Sequence, residues 1–91
     1  MGEPRLSHAG LRVLRVFVRA FSDNVRSELA GIDVMVAAHV SSGTLYPLLL
    51  RLEKAGILSS RWESERPQDL GRPRRRLYHI TPAGVELAHQ A

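Results

Sequence analysis

The chain has 91 residues, 44% of them apolar and 24% charged, which bounds it to one small domain with a modest core and excludes a disordered tail. It carries a formal net charge of +4, all but one of its 13 basic residues are arginine, and it lacks cysteine, so a disulfide framework and a thiolate metal site are excluded. No apolar run approaches the ~20 residues that span a bilayer, and the N-terminus has neither a signal-peptide pattern nor, with Leu6 in place of the Ser or Thr required after Gly2, a myristoylation motif; a cytoplasmic protein without membrane contact is expected.

Residues 1–6 read as a flexible tail, and 7–91 as the domain. Ser7 suits the cap of a first helix reaching about Phe21, with Leu11, Leu14, Phe17, Val18 and Phe21 on one face and Arg12, Arg15 and Arg19 opposite. Val13 and Val16 widen the apolar stripe beyond what one small core needs. Ser22, Asp23 and Asn24 interrupt the helix. A second helix is expected within Ala30–Ala38, with Ile32, Met35 and Val36 inward. After a turn at 39–42, Ser41 or Ser42 caps a third helix that ends at Ala55 before Gly56. Its Leu45, Leu48, Leu49 and Leu52 form the most regular helical stripe in the chain, and Pro47 lies near the first turn, where it removes at most one hydrogen bond. Ile57–Trp62 and Arg74–Ile80 read as antiparallel strands joined by a loop, Glu63–Pro73. Thr81 and Pro82 then supply the cap and first position of a last helix. The expected fold is mainly α with a small β wing (α+β): a winged helix-turn-helix with a three-helix core, a two-stranded hairpin and a C-terminal helix.

If the leucine stripe of the third helix faces the core, its other face presents Gly43, Pro47, Leu50 and Lys54, flanked by Thr44, Tyr46 and Arg51. Small and hydroxyl residues at an open N-terminal turn suit a helix that enters the DNA major groove and meets phosphates with backbone amides. Taken alone, Ser41, Ser42 and Thr44 would serve equally well to cap a buried helix. The second element is the wing, where Arg72, Arg74, Arg75 and Arg76 cluster without an acid. Such a cluster neutralises phosphates or enters a minor groove. If Arg74–Arg76 are in a strand, Arg74 and Arg76 share one face and Arg75 takes the other.

The run Ser42-Gly43-Thr44-Leu45-Tyr46-Pro47-Leu48-Leu49, then Arg51-Leu52-Glu53, Gly56-Ile57-Leu58, Trp62, Gly71-Arg72-Pro73-Arg74-Arg75-Arg76, Tyr78, Ile80-Thr81 and Gly84, resembles the PadR transcriptional regulators. The match covers about Ser41 to Gly84 in unbroken order. Upstream, Ala30-Gly31-Ile32-Asp33-Val34 keeps the glycine, acid and aliphatic residue of the family's usual run, without its His and Tyr. The resemblance implies a dimeric winged helix-turn-helix regulator, usually a repressor, with Thr44 and Tyr46 on the recognition helix, Tyr46 reaching a phosphate, and the arginine-rich segment as the wing. Family members commonly dimerise through a long C-terminal helix that sometimes lines a ligand cavity. Here Pro82–Ala91 is short, so dimerisation is assigned to Leu11, Val13, Val16 and Phe17 of the first helix together with Leu87.

The expected partners are double-stranded DNA, contacted by Ser41, Ser42, Gly43, Thr44, Tyr46, Pro47, Arg51, Lys54, Arg72, Arg74, Arg75 and Arg76, and a second copy of the chain. A small-molecule effector is compatible with the resemblance but has no support in the residues. The alternative function is a winged-helix module that sets its basic wing on an acidic protein. No catalysis, metal or cofactor is expected: His8, His39, His79 and His89 are scattered, Glu63 and Glu65 show no sign of acting as a carboxylate pair on a substrate, and Trp62 is assigned to packing over the core.

Overall fold

The computed structural model describes residues 6–90. The chain runs α1 (His8–Asp23), β1 (Leu29–Ala30), α2 (Gly31–Ala38), α3 (Ser42–Lys54), β2 (Leu58–Trp62), α4 (Pro67–Leu70), β3 (Arg76–Ile80) and α5 (Pro82–Gln90). Of the tail expected over residues 1–6, residues 1–5 lie outside the described residues, and Leu6 is half-buried against the core.

Ser7 caps α1, its hydroxyl accepting from the Gly10 N–H at 3.0 Å. The helix continues through Ser22 and Asp23, beyond the expected end at Phe21, and closes where the Asn24 N–H reaches the Ala20 carbonyl. The Asn24 side chain then accepts from the Arg26 N–H at 2.9 Å and turns the chain back. The return segment forms β1, which pairs Leu29 with Tyr78 and Ala30 with Leu77. The expected two-stranded hairpin is therefore a three-stranded antiparallel sheet in the order β1-β3-β2.

The inward face of α2 differs from expectation. Val34 and Ala38 are buried, Met35 packs beside them, and Ile32 and Val36 are 44% and 68% exposed. Asp33 is the only charged residue in α2, so its sequence offers two competing apolar stripes. The anchors at its ends select between them. At the start the Asp33 carboxylate accepts the Ala30 N–H at 2.9 Å, and at the end Arg12 Nε donates to the Ala38 carbonyl at 3.0 Å. His39 takes a left-handed conformation (φ 55°), and the chain bends by 115° between α2 and α3, within the range of a helix-turn-helix.

Leu45, Leu48, Leu49 and Leu52 of α3 are all buried, as their spacing predicts. Gly56, at φ 77°, lets its own N–H reach the Glu53 carbonyl and the Ile57 N–H reach the Leu52 carbonyl. Ile57 therefore belongs to the helix closure, and the strand begins at Leu58. β2 pairs with β3 from Leu58↔Ile80 to Trp62↔Arg76. Arg74 and Arg75, expected in the second strand, lie in the loop before it, and that loop contains the one-turn helix α4. Thr81 caps α5: its hydroxyl accepts the Gly84 N–H at 3.1 Å and donates to the Gly56 carbonyl at 2.6 Å. Val13, Leu14 and Phe17 of α1 meet Val34, the α3 leucines, Leu58, Tyr78 and Ile80 in one core. No single helix among the described residues is long and apolar enough to cross a membrane.

Candidate nucleic-acid interface

With its leucines inside, α3 turns Gly43, Thr44, Tyr46, Pro47, Leu50, Arg51 and Lys54 to the surface, together with Ser41 and Ser42 at its head. Ser41 is the N-cap, but it caps with its backbone: its carbonyl accepts from Thr44 and Leu45 at 3.2 and 2.9 Å, and its hydroxyl donates to the Thr44 hydroxyl at 3.2 Å. Among the described residues nothing accepts from the Ser42 and Gly43 amides, so the helix head keeps donors for an anion. Tyr46 lies against the start of α2, where a Cβ on Gly31 would stand 2.8 Å from its hydroxyl.

The four wing arginines have different surroundings. Arg72 is engaged inside the wing, its two Nη atoms donating to both oxygens of Glu63 at 2.7 and 3.0 Å. Arg76 Nε donates to the Ser60 hydroxyl at 2.9 Å and its guanidinium lies over the Trp62 ring. Arg74 Nε rests on the Glu65 carbonyl at 2.8 Å. Arg75 is exposed, and its side chain has no hydrogen-bond or ion-pair partner among the described residues. Its backbone N–H donates to Glu63 at 2.8 Å. Glu63 is held down to about 2, first by the Arg72 guanidinium and then by that amide.

A cleft of about 280 Å³ joins the two elements: Gly31 and Ile32 at the head of α2, Tyr46 of α3, and Trp62, Arg74, Arg75 and Arg76 of the wing all line it. Trp62 does not pack over the core as expected; it is 57% exposed at this cleft. The reason is register. Leu58, Ser60 and Trp62 share one face of β2, and the core ends before Trp62 is reached.

Of the residues assigned to a dimer contact, Val13 and Phe17 are 0% and 2% exposed inside the protomer's own core, which takes them off the surface. Leu11, Val16 and Leu87 remain half-exposed. Leu11 also lines a groove of about 240 Å³ between α1 and α5, with Leu14, Val18, Ala88 and the flanking Arg15 and Arg19. Sequence reasoning missed Glu63 as an organiser of the wing. The only signal for it was its position as the first residue of the loop, opposite an arginine cluster that holds no acid of its own. Among the described residues no three His, Asp or Glu side chains converge in a metal-holding group.

A helix pair bent at a tight turn, followed by a hairpin with an arginine-rich loop, defines a winged helix-turn-helix. The profile of the Transcriptional regulator PadR-like family matches residues 29–90. The chain belongs to that family. No curated protein sequence matches it. Among solved structures, MepR of S. aureus in complex with DNA has a TM-score of 0.71 at 16% identity, over 93% of this chain and 60% of that one. A MarR-family regulator from Silicibacter pomeroyi has 0.68 at 22%, over 93% and 49%. A PadR-family regulator from Eggerthella lenta has 0.66 at 26%, over 91% and 70%. The chain thus spans 60% and 49% of the first two of these structures.

Proposed function

We propose that the chain binds double-stranded DNA as a homodimer and represses transcription, with α3 in the major groove and the wing on the backbone or in the minor groove. The observation that carries this reading is the cleft that gathers Tyr46 and the wing arginines over the head of α2. It sets a hydroxyl and guanidinium groups around one opening, donor types that phosphates take. Ser41, Ser42, Gly43, Thr44, Pro47, Arg51 and Lys54 would meet the groove and its edges, and Arg74 and Arg75 the backbone. Dimerisation is supported by the apolar groove between α1 and α5 and gives a two-fold partner for a pseudo-palindromic site.

Binding to a random duplex library across a salt series tests the proposal. Log affinity should fall linearly with log salt, and replacing Arg74, Arg75 and Arg76 together with Ala should weaken binding to all sequences and flatten the slope by roughly one unit per lost phosphate contact. A second reading, docking of the wing on an acidic protein surface, is favoured by Leu50, which is apolar and 56% exposed on the face meant for DNA. Duplex binding with no salt dependence would move that reading ahead.

A further inference from the structure

We propose that Glu63 is a positioning residue of this interface: it clasps the two sides of the wing loop so that the Arg74 and Arg75 guanidinium groups are presented to the DNA backbone. This rests on the DNA-binding reading above.

A carboxylate beside a phosphate-binding cleft needs a reason, because it repels the ligand. Glu63 has one in its contacts. Its side chain, 13% exposed, takes a bidentate pair from Arg72 at 2.7 and 3.0 Å and the Arg75 N–H at 2.8 Å. Its backbone N–H donates in turn to the Arg75 carbonyl at 3.0 Å. One residue on the outgoing side of the loop thus holds both 72 and 75 on the returning side. The segment between contains α4, which Gly71 closes at φ 69°. The Arg72 charge cancels that of Glu63, so the clasp adds no net charge to the cleft, and the wing cations left without a carboxylate partner among the described residues are those of Arg74, whose Nε rests on the Glu65 carbonyl, and Arg75. A fork-on-fork pair fixes direction as well as distance, which a lysine in place of Arg72 would not do.

The experiment is a DNA titration of Glu63→Gln and Arg72→Lys, each in the wild-type background and with Arg74 and Arg75 both changed to Ala. The sign decides. If Glu63 were only an acid near DNA, Glu63→Gln would tighten binding by removing a repulsive charge. As a positioning residue, its loss should weaken binding by about tenfold, Arg72→Lys should do the same, and neither should weaken it further once Arg74 and Arg75 are gone. Hydrogen exchange of the Arg75 amide in the free protein should accelerate in Glu63→Gln, with the thermal midpoint showing that the fold is retained. Wild-type binding with Glu63→Gln equal or tighter overturns this proposal alone. Absence of any wild-type duplex binding at low salt overturns the DNA reading and this proposal with it.

Discussion

The Arg76 guanidinium lies 5.4 Å from the centre of the Trp62 ring and donates to the Ser60 hydroxyl at 2.9 Å, with a Glu53 carboxylate oxygen 3.6 Å from it. An exposed tryptophan on a wing is thus covered on one face by a cation that Ser60 and Glu53 hold in place. A stack of this kind contributes about 0.5–1 kcal/mol at a partly exposed site. Urea unfolding of Arg76→Ala, Trp62→Ala and the double variant should return a coupling energy of about that size. Because Trp62 is the sole tryptophan, Arg76→Ala should also shift its fluorescence. Zero coupling and an unchanged spectrum would show that the pair does not form in solution.

A second expectation concerns acid. Glu63 has its folded-state value lowered to about 2, by the Arg72 hydrogen bonds first and the Arg75 amide second, and Glu28 is lowered by its bidentate pair with Arg61. A carboxylate depressed in the folded state stabilises the fold above its unfolded value, and that contribution is lost as pH falls toward the folded value. Stability should therefore decline from the ordinary glutamate range near 4.3 down to about 2. Denaturation midpoints across that window, compared with Glu63→Gln, would show it: the variant's acid limb should be flatter. Equal limbs would mean that Glu63 titrates as it does in the unfolded chain.

How much of this was legible beforehand depended on how many residues voted for each feature. The leucines of α3 repeat over two turns with one consistent phase, and the cap at Thr81 followed by Pro82 has a narrow chemical meaning, so both were readable. β1 is only two residues long; it exists because Tyr78 and Leu77 offer a free strand edge, which no period in Leu29–Ala30 announces. α2 is apolar nearly all round, so the choice of Val34 over Ile32 belongs to its anchors, Asp33 and Arg12. The wing arginines were legible as a cluster but not as individuals. Which of them is engaged and which is presented depends on Glu63, Ser60 and Glu53, residues brought to them only by the pairing of β2 with β3.

Gly84 gives a third prediction. A Cβ there would run into the Ile57 carbonyl and stand 2.7 Å from Ile80 Cγ1. Alanine would gain up to about 1 kcal/mol in helix propensity, but the obstructing atom is backbone, held by the α3 closure and by Thr81. Overpacking of this kind costs about 1–3 kcal/mol. Gly84→Ala should thus lower the thermal midpoint, whereas Gly43→Ala, with open space around its Cβ position, should leave it unchanged or raise it. Equal midpoints for Gly84→Ala and wild type would show that α5 is free to shift away from Ile57.

The last prediction joins the two helices of the helix-turn-helix. The Tyr46 ring lies so close to Gly31 that an added Cβ would sit 2.8 Å from its hydroxyl oxygen and 3.0 Å from Cε1. Both atoms belong to the outer end of a side chain that is 51% exposed, so the ring can swing away at little cost. Stability should therefore barely change in Gly31→Ala, since the gain in helix propensity at the first position of α2 offsets the displaced ring. DNA binding should respond differently. If Tyr46 donates to a phosphate, the swing carries its hydroxyl off target, and Gly31→Ala should weaken binding about as much as Tyr46→Phe does. A hydrogen bond to a charged group sets that loss at about 1.5–3 kcal/mol, and it should be the same for all duplex sequences because a phosphate carries no base identity. In a Tyr46→Phe background, Gly31→Ala should then add nothing to the loss in affinity. Full additivity of the two changes would mean that Gly31 acts on DNA through the α2 backbone itself and not through Tyr46.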